Sequence, residues 1–149
     1  MLILLAVVIG LAILLGRPEK RPTASPTSPV AQGPSPAAFA QSVSSAVTAS
    51  PKWSRIEGES ASGSTYKLAI IYKTMPSGHS EVERDTRSVA QAALNEMVRS
   101  GRSPAQERIY LSVWARKPET GATGQPLVRL FGKSYYDFNN DSIHYEPYK

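Results

Sequence analysis

Ser80-Glu81-Val82-Glu83-Arg84-Asp85-Thr86-Arg87-Ser88-Val89-Ala90-Gln91-Ala92-Ala93-Leu94-Asn95-Glu96-Met97-Val98-Arg99 sets the architecture of this chain. Val82, Thr86, Val89, Ala93 and Met97 recur three or four positions apart. Widened by Ala90 and Leu94, they draw one apolar stripe on a helix over Glu81–Arg99. Ser80 and Glu83 have the spacing of a capping box, in which hydroxyl and carboxylate each satisfy an orphan backbone N–H. Gly101 is placed to end the helix. Glu96 falls off the stripe.

A helix with one apolar face needs a sheet or another helix to bury it against. The flanking segments read as strands. In Thr65–Lys73, Tyr66, Leu68, Ile70 and Tyr72 alternate with Lys67, Ala69, Ile71 and Lys73. Trp53–Glu59 precedes it across the turn-rich Ser60–Ser64. Downstream, Arg108–Arg116 puts Ile109, Leu111, Val113 and Ala115 on one face and Tyr110, Ser112, Trp114 and Arg116 on the other. Lys117–Pro126 reads as a polar loop, Leu127–Tyr136 as a strand, Asp137–Asp141 as a turn, and Ile143 and Tyr145 as part of a short last strand. The pattern predicts an α+β two-layer sandwich, an antiparallel sheet of four to five strands covered on one face by the main helix. Val89, Ala93 and Met97 should pack on Leu68, Ile70, Leu111 and Val113.

Upstream the composition changes twice. Met1–Gly16 carries no polar or charged side chain. The fourteen residues Leu2–Leu15 would span about 21 Å as a helix, against about 30 Å for a hydrocarbon core. A signal peptide lacks its basic n-region here, and the small-residue pattern Ala38-Phe39-Ala40 lies far beyond the apolar run. Residues 1–16 therefore read as a transmembrane helix and single-pass anchor. Arg17, Lys20 and Arg21 beside it lean the domain towards the cytoplasmic side, with the extracytoplasmic side as the alternative. Residues 17–51 read as a disordered Pro/Ser/Thr/Ala linker, with six prolines in Pro18–Pro36. Within it, Ser35 and Pro36 open a short helix over 36–48, along which Phe39, Val43 and Val47 share an edge. Residues 52–149 form the globular domain.

The sequence has no cysteine, which excludes disulfide scaffolds, Cys-ligated metals and a Cys nucleophile. Net charge is +5, of which Arg17, Lys20 and Arg21 against Glu19 supply +2 and everything downstream +3. That balance disfavours nucleic acid as a partner. Gly58–Thr65 has the glycine spacing of a P-loop, but Ser64 replaces the phosphate-binding lysine and the segment precedes a strand, so it reads as a hairpin turn. Asp137, Asn139 and Asp141 occupy the first, third and fifth places of a calcium loop. Ser142 replaces its glycine, Tyr148 its bidentate acid, and Glu146 is out of register, which leaves a turn. His79 and His144 form no visible constellation with a nucleophile, and no G-x-S-x-G is present. Glu81 and Glu83 are explained by the helix macrodipole.

These observations predict a non-enzymatic protein with no cofactor and no metal: a membrane-tethered interaction or accessory module. Its partners would be the membrane, through residues 1–16, and a protein of unassigned identity; no oligomeric state is assigned. The alternative is an anionic-ligand or nucleic-acid binding domain that uses an aromatic and basic C-terminal sheet. Tyr135, Tyr136, Phe138, Tyr145 and Tyr148 crowd that end, and the candidate binding surface is Trp114, Arg116, Arg129, Lys133, Tyr135 and Tyr145. Packing alternate aromatics beneath the helix is the competing use for them.

Overall fold

A computed structural model describes residues 33–149. In chain order the elements are α1 (Pro36–Ala46), β1 (Trp53–Ser62), β2 (Thr65–Tyr72), α2 (His79–Arg99), β3 (Tyr110–Thr120), β4 (Pro126–Asp137) and β5 (Ser142–Pro147). The strands make one five-stranded sheet in the order β1-β2-β3-β4-β5.

The α+β class holds, but the sheet is mixed and not antiparallel throughout. β2 and β3 run parallel, Thr65 opposite Tyr110 and Ile71 opposite Arg116, while the other neighbours are antiparallel. Length explains the difference. The eight residues of β2 advance about 26 Å, and the twenty-one of α2 travel back about 31 Å. The chain thus re-enters the sheet beside the start of β2, and β3 follows in the same direction.

The predicted transmembrane helix is corrected. Residues 1–16 lie outside the described residues, as does the linker up to residue 32, and among the described residues no helix is long and apolar enough to cross a membrane. An apolar run of about 21 Å is also short for the task. The membrane-tethered function, the membrane partner and the single-pass localisation with its cytoplasmic lean are not supported. A small domain of five strands and two helices is what the structure supports.

The core lies between the sheet and the helices. Val89, Ala93 and Met97 are buried in one cluster with Leu68, Ile70, Leu111 and Val113, as the periodicities require. α1 adds Phe39, Ala40 and Val43 to the same cluster. Ser35 caps α1 by accepting from the Ala38 N–H at 3.2 Å, and Pro36 occupies the first turn. β1 makes room for α1 at Gly58, where an added Cβ would stand 1.9 Å from the Pro36 carbonyl oxygen.

The capping box does not form. α2 begins at His79 with Gly78 at its N-cap, which places Ser80 inside the first turn. Glu83 pairs instead with Arg87 one turn on, at 2.8 Å. Glu81 takes the capping role from within, accepting from the Ser77 N–H at 2.5 Å and from Lys52 Nζ at 2.8 Å. Gly101, at φ +85°, follows the end of the helix as expected. Glu96 is turned towards α1, where the Ser42 hydroxyl donates to it at 2.6 Å. Lys117–Pro126 is only in part a loop: β3 and β4 continue as a ladder from Lys117 opposite Arg129 to Thr120 opposite Pro126.

Candidate functional site

Both helices pack on one side of the sheet, and among the described residues no element covers the other. Strand parity decides what that open face shows. Leu111, Val113 and Ala115 are fully buried on the helix side, so Tyr110, Ser112, Trp114 and Arg116 point the other way. Register extends the face sideways. Trp114 stands between Ala69 of β2 and Lys133 of β4, and Ser112 between Lys67 and Tyr135. Tyr135 and Lys133 in turn stand opposite His144 and Glu146 of β5.

Aromatic rings form the centre of this face. Lys133 Nζ lies 5.1 Å from the ring centroid of Trp114 and 5.8 Å from that of Tyr135, and Tyr135 stacks on His144 at 5.6 Å. Charged pairs form its margin. Arg116 on β3 reaches across β2 to Glu57 and Glu59 of β1, at 2.7 and 2.5 Å. Ile71, its neighbour in register, is only 3% exposed, and among the described residues no helix lies above it. Lys133 is paired with Glu146 at 3.0 Å. Burial by itself would raise the Glu57 carboxyl, but hydrogen bonds from Arg116 and Arg55 outweigh it and hold the group below the usual carboxylate range.

Of the six predicted surface residues, the sheet therefore brings Trp114, Arg116, Lys133 and Tyr135 together. Two are elsewhere. Tyr145 stands opposite Ser134, which is buried on the helix side and bonded to Thr86 at 2.7 Å. Its ring lies against Gly132, where an added Cβ would meet the Tyr145 hydroxyl at 2.6 Å. Arg129 stands opposite Lys117, out of phase with Arg116, and is paired with Glu119 at 3.1 Å. The aromatic crowd near the C-terminus is thus divided, Tyr136 and Tyr145 towards the helix and Tyr135 towards the open face. Tyr110, His144, Glu57, Glu59 and Glu146 belong to the face and were absent from the predicted set. Parity with Trp114 was the available signal for Tyr110.

The same geometry supplies one observation on the anionic-ligand and nucleic-acid alternative. Arg116, Arg129 and Lys133 each already face a carboxylate within 3.1 Å, whereas polyanion binding needs cations that can exchange counterions for phosphates.

His144 has a serine and an aspartate on the same side of its ring. Ser142 Oγ lies 2.9 Å from His144 Nε2, and Asp137 approaches the His144 ring at that same nitrogen, at 4.0 Å. A triad needs the acid on the opposite nitrogen. Asp137 is occupied within its own loop, accepting from the Asn139 N–H at 2.9 Å and from Asn140 Nδ2 at 2.6 Å. The Asn139 bond is the main reason its carboxyl is held below the ordinary range. Asp141 accepts from the Tyr136 hydroxyl at 2.6 Å; burial, then that carboxylate, pushes the phenol up to about 12. Among the described residues, no group of three or more acidic or histidine side chains is placed to hold a metal ion.

Comparison with protein families, characterised proteins and solved structures gives no match to this chain. What the fold and the site define is a mixed α+β domain with one helix-covered and one open sheet face.

Proposed function

We propose that this chain is a non-catalytic protein-binding domain that presents the open face of its sheet, centred on Trp114, Lys133 and Tyr135, to a protein partner. The observation that carries this is the position of Lys133 over both rings while it is paired with Glu146. A flat aromatic centre inside a rim of pre-paired charges has the anatomy of a protein interface, where Trp, Tyr and Arg concentrate and the rim stays polar. The complementary surface is apolar or aromatic at its centre and nearly neutral at its margin. The geometry of His144, Ser142 and Asp137 supports the non-catalytic part of the reading.

Site-specific photocrosslinking on the full chain tests it. A photoreactive side chain at the exposed Tyr110 position should yield an adduct that protease digests and nuclease does not, and Trp114→Asp should abolish it. The same group at Gln91, on the helical side, should not yield that adduct. A nuclease-sensitive adduct, the same adduct from both positions, or none from Tyr110 would overturn the proposal.

A further inference from the structure

The chemistry of a segment that fits the open face follows from the polar groups the face leaves unused. Aromatic side chains inside the domain spend theirs internally: Trp53 and Tyr72 donate to Asp85, and Tyr136 to Asp141. On the open face the Trp114 indole N–H and the Tyr110 and Tyr135 hydroxyls have no hydrogen-bond partner among the described residues. The carboxylates there are engaged, Glu57 and Glu59 by Arg116 and Glu146 by Lys133. The rings also have a spacing. Tyr110 and Trp114 share one side of β3 four residues apart, about 13 Å along a strand. Tyr135 stands beside them, opposite Ser112, the residue midway.

We propose that the protein partner of this face presents an uncharged, proline-rich segment in the polyproline II conformation. The inference rests on the protein-binding reading above and names the chemistry of its partner. Such a helix advances about 3.1 Å per residue, so about four residues bridge Tyr110 and Trp114. It has no internal hydrogen bonds, which leaves its carbonyls as acceptors for the free indole and phenol donors, and its prolines carry no N–H that needs a partner. Pyrrolidine rings pack against aromatic side chains, and the preformed helix has little entropy to lose on docking. Charge complementarity points the same way. An acidic segment would meet Glu57, Glu59 and Glu146, and a basic one Arg116 and Lys133, groups already paired within 3.0 Å. An uncharged segment breaks no ion pair.

Calorimetric titration of the full chain with N-acetylated, C-amidated decaproline tests the proposal, with decaglutamate and a Gly-Ser repeat of equal length as controls. Decaproline should bind at one saturable site and neither control should. Trp114→Ala should weaken it at least about tenfold, and Tyr110→Ala, at an exposed position, at least about threefold, with circular dichroism unchanged. Gln91→Ala, on the helical side, should bind as the parent does. Saturating decaproline should also displace the protein crosslinked at the Tyr110 position. An adduct that persists at saturation would overturn the proline-rich assignment and leave the protein-binding reading standing, whereas no adduct at all would remove both. No saturable binding of decaproline, equal binding of either control, or undiminished binding by both aromatic variants would overturn the assignment.

Discussion

The indole Nε1–H of Trp53 donates to Oδ2 of Asp85 at 2.9 Å, inside the domain. Tyr72 donates its hydroxyl to the same oxygen at 2.7 Å, and Arg84 bonds the other oxygen at 3.0 Å. One carboxylate thus ties the start of β1, the end of β2 and the first turns of α2 together. Burial pushes the Tyr72 phenol far above its ordinary value, and the Asp85 charge adds to that.

Removing the acceptor leaves two buried donors without a partner. Asp85→Ala should therefore cost about 3–5 kcal/mol in urea unfolding. Trp53→Phe, which removes one donor and keeps the acceptor, should cost less. A change below about 0.5 kcal/mol for Asp85→Ala, the range of ordinary surface changes, would show that the triad does not hold the elements together.

Acid should act through Glu81. The hydrogen bond from Lys52, then that from the Ser77 backbone, lowers its carboxyl from 4.5 to about 2. A depressed folded-state value contributes stability that is complete above the unfolded value and disappears as pH falls through the folded one. Stability should thus decline between pH 4.5 and about 2, and Glu81→Gln should flatten that part of the profile. Unfolding curves measured across this range, with equal slopes for both proteins, would refute the assignment.

The helix–sheet contact is tested by a pair of truncations. Leu111 is fully buried beneath α2, and Leu111→Ala should cost about 2–5 kcal/mol. Gln91→Ala, on the exposed side of α2, should change the melting temperature little. Comparable losses from both would contradict the face assignment.

Gly58 is where β1 admits α1. Gly58→Ala places a Cβ against the Pro36 backbone, which no side-chain rotation relieves, and should cost about 1–3 kcal/mol as overpacking. Faster amide exchange in α1 with β2 unaffected would locate the damage; full protection of α1 would contradict the contact.

Much of this fold was legible in periodicity. The 3.6-residue stripe of α2 and the alternation of β2 and β3 name their own buried faces. The parallel pairing was legible only through lengths, because side-chain alternation is the same in either direction. The β3–β4 extension was hidden because Lys117-Pro118-Glu119-Thr120 carries no apolar alternation; backbone pairing alone makes it a strand. Tyr145 was misplaced because its face is set by its pairing with Ser134 across the last two strands, which alternation within β5 does not report, and Arg129 because an irregularity at Ala115/Arg116 shifts its register. The carboxylates that neutralise Arg116 lie 57 and 59 positions earlier in the chain, beyond the reach of any local pattern. Ser42 and Glu96 meet 54 positions apart for the same reason.

The open face is tested most directly by the affinity of the protein crosslinked at the Tyr110 position, measured against the full chain carrying Trp114→Ala. A Kd weakened at least about thirtyfold is predicted, about 2 kcal/mol for a central aromatic anchor, with Gln91→Ala binding as the parent does and circular dichroism unchanged in both. A Trp114→Ala protein that keeps its fold and binds within about twofold of the parent, inside the error expected of a residue outside an interface, would contradict the claim.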